Sequence, residues 1–259
     1  MKFIGVRRGR AGDRRAKALA HTMRATLVEA GKRPFETDIV WIAVPDDAIA
    51  GVARALASSQ DWQGRIVFHS SGALTSDELA PLRQRGAGIA SVHPMMTFVR
   101  DAAPELAGVA FALEGDAVAV RAAKSIIDDL GGIAFPIRKR NKVLYHVFGS
   151  FASPLVIALM ASLEEVAEAA GVRRREIKPV MLPLLRQTLH NYEKGDAAAA
   201  FSGPLVRGDV ATVRRHLAEL KKLPQAREVY LALARAALKR LPARNRAALG
   251  RVLGARVKK

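Results

Sequence analysis

The sequence predicts an α/β protein in which a mainly parallel, doubly wound sheet is followed by an all-α domain. From about residue 37 to residue 137, short apolar runs alternate with helical patterns, and this alternation is typical of a parallel sheet with crossover helices. After residue 138 the helical patterns continue without another strand pattern. We therefore place a sheet domain at residues 1–138 and a helical domain at residues 139–259.

Runs rich in β-branched and aromatic residues, each bounded by proline, glycine or a polar cluster, predict the strands; they are residues 38–45, 65–69, 88–93, 108–115 and 133–137. Helical patterns connect the strands at residues 47–58, 76–85 and 116–130. The helical domain contains further patterns, punctuated by glycine and proline, at residues 142–170, 173–194, 209–220, 225–241 and 243–256.

The chain is strongly basic, with 42 Lys and Arg against 24 Asp and Glu and a formal net charge of +18. Such an excess suits a partner made of phosphates, but much of it lies in the first fifteen residues and in the tail from Lys239 to Lys259. Aromatic residues make up only 5% of the chain and do not alternate with these charges. The sequence therefore predicts no stacking surface for single-stranded nucleic acid, and specific nucleic-acid binding is not the favoured function.

Several other classes are excluded by composition. The sequence contains no cysteine, and its six histidines lack a metal-binding spacing, which excludes a disulfide scaffold or a thiol nucleophile and predicts no metal site. The longest apolar stretch, residues 147–163, is interrupted by serines and a proline and is shorter than the roughly 20 residues of a membrane span. The N-terminus has no apolar segment typical of a secretory signal. We expect a cytoplasmic protein.

Polar clusters follow three consecutive predicted strands; they are Val44-Pro45-Asp46, His69-Ser70-Ser71 and His93-Pro94-Met95-Met96-Thr97. In open parallel sheets, ligands bind beyond the carboxyl ends of the strands. Taken singly, Asp46 could cap the next helix and the serines could form only a turn. Taken together, the three clusters predict a ligand site.

In order and spacing, these clusters together with Tyr145-His146 and residues 203–209 resemble a known family. The chain is similar to Rossmann-like NADP oxidoreductases that carry a C-terminal helical domain of formerly unknown function. These are relatives of pyrroline-5-carboxylate reductase, deazaflavin-dependent NADP oxidoreductases and ketopantoate reductases. The resemblance extends from about residue 13 to residue 240. It implies NADPH as cofactor, a small-molecule substrate and a homodimer built through the C-terminal helices.

The resemblance also implies roles for the strand-end residues. Val44, Pro45 and Asp46 would line the dinucleotide. The residues after the next two strands would lie near the nicotinamide and the substrate; they are His69, Ser70, Ser71, His93, Met95 and Thr97.

A hydride transferase also needs a proton donor for the carbonyl or imine that it reduces. Lys142 and His146 lie four residues apart at the start of a predicted helix and therefore share a face. One of them could orient the substrate while the other donates a proton; alternatively, Lys142 is solvated and His146 packs between the domains. We predict Lys142, His146 and His93 as catalytic residues.

Two residues of the helical domain are further candidates for substrate binding. Arg207 could bind a substrate carboxylate or pair with Asp209, which we expect to cap the helix that follows it. Asn191 lies near the end of a predicted helix and is predicted to line the pocket.

The chain departs from the family pattern at its N-terminus. Pyrophosphate binding in this fold uses Gly-x-Gly-x-x-Gly after the first strand, whereas this chain offers Gly5, Gly9 and Gly12 among arginines. The predicted strand before Pro45 also arrives too early for a complete strand–helix–strand unit ahead of it. We therefore expect one strand–helix unit to be missing and residues 2–6 to form the second strand. Arg7 and Arg8 would then follow its end, where a 2′-phosphate binds, which favours NADP over NAD; a basic terminus without a specific partner is equally consistent with them.

Three functions are consistent with the sequence. The first is an NADP-dependent oxidoreductase acting on a small carbonyl or imine substrate. The second is a non-catalytic dimeric relative that has lost the cofactor site. The third is a basic protein that binds nucleic acid or an anionic surface, with an affinity that falls steeply as salt rises.

Overall fold

The computed structural model describes residues 4–6, 37–99 and 104–255, and it describes side chains in the second and third of these segments. Six strands in these residues form one sheet, in which the spatial order follows the chain order. The strands are β1 Ile4–Val6, β2 Ile39–Ile42, β3 Ile66–His69, β4 Gly88–Pro94, β5 Ala110–Gly115 and β6 Ile133–Pro136. Neighbouring strands are parallel except for β4 and β5, which are antiparallel. The predicted α/β fold with a mainly parallel sheet is confirmed.

Helices connect the strands close to where the hydrophobic periodicity predicts them. They are α1 Asp46–Ala57, α2 Ala80–Arg83, which follows a 3₁₀ turn at Ser76–Leu79, α3 Ala117–Asp129 and α4 Lys142–Ala152. Alternate residues of a strand enter different cores: Val40 and Ile42 pack with α1, whereas Ile39 packs with α3. Both faces of the sheet are therefore covered, as in other parallel sheets.

The first strand lies directly beside β2, with Ile4 opposite Val40 and Val6 opposite Ile42. In the strand order 3-2-1-4-5-6 of this fold class, the neighbour of the fourth strand is the first. Strands β2, β3 and β4 follow one another in the sheet as they do in the chain, as the fourth, fifth and sixth strands of that order do, so β2 takes the fourth position and β1 takes the first. The expectation that residues 2–6 form the second strand is not supported by this pairing. Arg7 and Arg8 lie outside the described residues, as do Gly9 and Gly12.

Contacts divide the chain into two compact units, Met1–Ser153 and Pro154–Lys259. Helix α4 belongs to the first unit, whereas the sequence analysis placed it in the helical domain. The helix predicted at residues 142–170 is in fact two helices, because Pro154 lacks an N–H group and its ring clashes with a preceding helical turn. Helix α4 ends at Ala152, and α5 begins at Pro154.

The second unit, taken by itself, contains only helices in its described residues, as predicted. They are α5 Pro154–Ala169, α6 Arg174–Lys194, α7 Ala197–Ala200, α8 Pro204–Arg207, α9 Val210–Glu219, a 3₁₀ turn at Leu220–Lys222, α10 Pro224–Arg240 and α11 Arg246–Leu253. Its core contains Val213 and Leu217 from α9, Leu238 from α10, and Leu249 and Leu253 from α11.

The helical stretch at residues 139–169 is, by length and composition alone, apolar enough to cross a membrane. Its most apolar window has a mean hydropathy of 1.8, and 6% of that window is buried. The expectation that the stretch falls short of a span was therefore wrong by this measure. The stretch is interrupted at Ser153, where φ is −129° and ψ is −82°. Lys142 and Tyr145, near its start, are buried in the first unit.

Candidate functional site

Polar side chains beyond the carboxyl ends of β2, β3 and β4 meet the first turn of α4 within the sheet unit. We call this group the strand-end cluster; it consists of Asp46, His69, Ser70, Ser71, Gly72, Ser91, His93, Lys142, Tyr145 and His146. Its members come from three consecutive strand ends and one helix, because parallel strands place their carboxyl ends at one edge of the sheet.

The turn after β3, residues 70–75, is held together by Ser71 and His69. The Ser71 hydroxyl donates to Oδ2 of Asp46 at 2.7 Å and accepts from the backbone N–H of Leu74 at 2.9 Å. The Ser71 backbone N–H donates to Nδ1 of His69 at 3.1 Å, and Nε2 of His69 donates to the Thr75 carbonyl at 3.0 Å. Burial lowers the pKa of His69 to about 4. The polar side-chain atoms of His69 and Ser71, both predicted to contact the cofactor, are therefore hydrogen-bonded within the turn and to Asp46.

Lys142 is fully buried and fastens α4 to the ends of β3 and β4. Its ammonium donates to the Ser71 carbonyl at 2.8 Å and to the Ser91 hydroxyl, and the Ser91 hydroxyl also donates to the Ser71 carbonyl at 3.2 Å. Burial lowers the pKa of Lys142 to about 8, against the opposing effect of the Glu114 and Asp46 carboxylates. The ammonium has no solvent exposure, and its two hydrogen bonds go to the turn after β3 and to β4.

Glu114, a buried carboxylate near the end of β5, is a residue that the sequence analysis missed. It accepts hydrogen bonds from the Ser76 backbone N–H at 2.6 Å and from the Ser76 hydroxyl at 2.8 Å. Glu114 lies opposite Ser91 in the antiparallel pair of β4 and β5. Its negative charge favours the charged form of Lys142 and so raises the pKa of that residue. A single carboxylate in an otherwise apolar predicted strand was the signal that could have identified it.

His93 and His146 meet at Gly72. A Cβ atom at position 72 would lie 2.7 Å from Nε2 of His93 and 2.7 Å from Cδ2 of His146, so only glycine fits between the two rings. Nδ1 of His93 lies 3.0 Å from the Tyr145 hydroxyl. Burial, followed by repulsion from Lys142 and His146, lowers the pKa of His93 to about 4. His93 is thus half-buried and neutral near pH 7, whereas His146 is exposed.

The remaining predicted residues of the sheet unit lie around this group. Indole Nε1 of Trp41 donates to the Ser70 hydroxyl at 2.6 Å, and both side chains are half-buried. Met95 packs against Gly149 of α4, with its sulfur 3.2 Å from where a Cβ would stand. Val44 is half-buried, and Pro45 and Thr97 are exposed.

Arg207 and Asn191 belong to the helical unit, which is described by itself. Arg207 is exposed at the end of α8. Asp209 caps α9 through a hydrogen bond from the Thr212 backbone N–H at 3.0 Å, as predicted. Asn191 is exposed on α6 and accepts a hydrogen bond from Gln187 at 2.7 Å. Within the described parts of both units, no three acidic or histidine side chains are placed to hold a metal ion.

The fold and the strand-end cluster define a Rossmann-like α/β protein with a helical C-terminal unit, and sequence comparison agrees. The model of the Rossmann-like domain matches residues 8–94, and the model of the domain of unknown function DUF2520 matches residues 109–237. The chain thus combines two regions that match these two domain models. No sequence among the curated proteins matches the chain.

Solved structures with the same fold cover nearly the whole chain. Protein TM1727 from Thermotoga maritima is 25% identical, with a TM-score of 0.71 over 91% of this chain and 90% of that one. A Bacteroides fragilis protein described as an NADP oxidoreductase is 17% identical, with a TM-score of 0.71 over 91% and 87%. An imine reductase from Myxococcus stipitatus in complex with NADP+ is 17% identical, with a TM-score of 0.60 over 98% and 100%.

Proposed function

We propose that the protein is an NADP-dependent oxidoreductase that reduces a small carbonyl or imine substrate by hydride transfer. The observation that carries the proposal is the strand-end cluster, which gathers three histidines and a hydrogen-bonded serine turn at the edge where sheets of this class bind ligands. The similarity in fold to the Bacteroides fragilis protein and to the Myxococcus stipitatus imine reductase supports it. Fold similarity alone does not transfer an activity, so the site residues carry the argument.

The described residues fit the nicotinamide half of the cofactor. Ser70 accepts a hydrogen bond from Trp41 and keeps its own hydroxyl hydrogen to donate. Val44, Pro45 and Ser70 would hold the nicotinamide end of the cofactor. This end would lie beside Gly72 and the imidazole rings of His93 and His146. When bound, NADPH supplies the hydride. Arg7 and Arg8, which were predicted to bind the 2′-phosphate on the premise that residues 2–6 form the second strand, lie outside the described residues, and the pairing of β1 with β2 does not support that premise.

We propose that two residues of this chain, His146 and Lys142, have separate roles in the rest of the reaction. Reduction of a carbonyl or imine adds a hydride to carbon and a proton to oxygen or nitrogen. His146 is an exposed imidazole at the cluster, and we assign it the transfer of that proton. Lys142 is a positioning residue, because its buried ammonium holds the serine turn and the end of β4 in place.

A turnover assay tests this assignment. Purified protein is mixed with NADPH and a panel of small ketones and cyclic imines, and the loss of NADPH absorbance is followed. We expect His146→Gln to reduce kcat by about a hundredfold or more without changing NADPH affinity, because the proton donor is lost. His216→Gln, at an exposed histidine of the helical unit, is the matched control and should retain activity. Full turnover by His146→Gln would refute the role of His146.

We also propose that the helical unit forms a homodimer through α5 and α6. Helix α5 has no buried residue. A large exposed apolar surface on a protein usually marks an interface. The large apolar side chains exposed on the two helices are Leu155, Val156, Ile157, Leu163, Val166, Val180, Leu184, Leu189 and Tyr192. A second copy of the chain would cover them in a two-fold arrangement, which is the commonest form of oligomer.

Helix α11, within the basic C-terminal segment, is part of the helical core, so truncation is not a clean test of nucleic-acid binding. Leu249 and Leu253 of α11 are buried, and Arg235 donates to the Leu253 carbonyl at 2.7 Å. Removing the chain from Lys239 onward would therefore damage the fold. Charge reversal at the exposed Arg251 tests anionic binding without this damage.

A further inference from the structure

Tyr145 is buried beside His93, and the sequence analysis gave it no role. Its side chain lies on the face of α4 that packs on the sheet, with 7% of its surface exposed. The rings of Tyr145 and His93 are perpendicular, with centroids 5.5 Å apart, and Phe135 packs on Tyr145 at 6.0 Å. The Tyr145 hydroxyl therefore has a fixed position, 3.0 Å from Nδ1 of His93.

The direction of this hydrogen bond follows from what a buried phenol requires. A buried hydroxyl hydrogen needs an acceptor, because leaving it unpaired costs the full desolvation of the group. Among the described residues, Nδ1 of His93 is the acceptor within reach of the Tyr145 hydroxyl. Burial raises the pKa of Tyr145 to about 12, so the phenol keeps its hydrogen at neutral pH. The phenol thus donates and Nδ1 accepts.

We propose that Tyr145 is a positioning residue that holds His93 as the neutral tautomer with its hydrogen on Nε2. In a neutral imidazole, one nitrogen accepts and the other donates. Because Nδ1 accepts from Tyr145, Nε2 carries the hydrogen. Nε2 is the atom that faces Gly72 at the strand-end cluster, and His93 is only half-buried. His93 therefore carries an N–H donor on the side of its ring that faces the cluster.

This inference deepens the proposed function and, for the identity of the acceptor, rests on it. A substrate carbonyl or the carboxamide oxygen of a nicotinamide is the class of group that an imidazole N–H would hold. His93 then donates a hydrogen bond from Nε2 to that oxygen and so orients it. The proton for the reduction comes from His146. Both histidines were predicted from the sequence as catalytic residues, without a distinction between these two roles.

Nitrogen-15 NMR of histidine-labelled protein tests the inference without any cofactor. The signal of His93 is assigned by its loss in His93→Gln. In the wild-type protein near pH 7 we expect an unprotonated, hydrogen-bonded Nδ1 and a protonated Nε2 for His93. In Tyr145→Phe the Nδ1 signal should shift, because the hydrogen bond is lost and the second tautomer becomes accessible. A wild-type His93 with its hydrogen on Nδ1, or an unchanged Nδ1 signal in Tyr145→Phe, would overturn the inference.

The chain supplies two matched controls. Tyr230 lies with its hydroxyl 3.2 Å from Nδ1 of His216 in the helical unit, so Tyr230→Phe should alter the His216 signals and leave those of His93 unchanged. His69 has its tautomer set by the turn after β3, and unchanged His69 signals in Tyr145→Phe report an intact fold. If Tyr145→Phe does not fold, the wild-type tautomer alone decides. A failure of NADPH to bind would count against the proposed function and leave this result unaffected.

Discussion

The buried ammonium of Lys142 makes the stability of the sheet unit depend on pH, and Lys142→Met removes that dependence. Burial lowers the pKa of Lys142 from 10.5 to about 8. At a pH where Lys142 is charged in both the folded and the unfolded protein, this shift lowers the free energy of unfolding by about 3 kcal/mol. Because the folded-state pKa is the lower one, the unfolded chain binds more protons between pH 8 and pH 10.5. Stability therefore rises with pH across that window, and the full cost is present below pH 8.

The expected magnitude can be measured by urea denaturation at two pH values. Between pH 7 and pH 9.5, the wild-type protein should gain about 2 kcal/mol of unfolding free energy relative to Lys142→Met. Methionine also loses the hydrogen bonds of Lys142 to Ser71 and Ser91, but the way their strength changes with protonation is already contained in the lowered pKa, and the remaining loss is the same at both pH values. Tryptophan fluorescence isolates the sheet unit, because both tryptophans of the chain, Trp41 and Trp62, belong to it.

The matched control is Lys124→Met on α3, because Lys124 is exposed. Its stability difference from wild type should be the same at pH 7 and pH 9.5. If Lys142→Met also shows a constant difference, Lys142 does not have a lowered pKa and the description of the cluster is wrong.

Three further predictions concern packing, hydrogen bonding and assembly. Gly72→Ala should abolish activity and destabilise the sheet unit in urea, since its Cβ would lie 2.7 Å from the His93 and His146 rings. Gly51→Ala, in open space on α1, should instead stabilise by up to about 1 kcal/mol; equal effects of the two would contradict the packing described. Glu114→Ala should destabilise by about 2 kcal/mol or more, because two buried donors of Ser76 lose their acceptor, and urea denaturation measures this. Ile157→Glu should convert a dimer to a monomer in light scattering, and an unchanged mass, or flotation of the wild type with vesicles, would count against the dimer.

The fold was predictable because its signals are local. Short apolar runs ending at Pro45, Ser70 and Pro94 predicted three buried strands, and the structure confirms them within a few residues. The break at Ser153 was missed because the apolar periodicity continues through it, and Pro154 was not weighed as a helix start. The sheet position of β1 depends on long-range pairing, which no local pattern encodes.

The sequence predicted which residues lie together at the strand ends better than it predicted what each of them does. The polar clusters identified His93 and Ser71, and the helical spacing to His146 identified Lys142; the structure brings these residues together. Sequence could not show that Lys142 is buried beneath the turn or that His69 serves the turn itself, because burial depends on how α4 packs on the sheet. Tyr145 lies one residue from His146 and was passed over for the same reason.

The most direct test of the account is an NADPH titration of the purified protein, read by energy transfer from tryptophan to the nicotinamide. Trp41 contacts Ser70 at the strand-end cluster, so a bound nicotinamide should quench it. The account predicts saturable binding at moderate salt that is tighter for NADPH than for NADH and comes with a raised melting temperature. Absence of binding, or binding lost as salt rises, would contradict it and favour a non-catalytic relative or a protein that binds anionic surfaces.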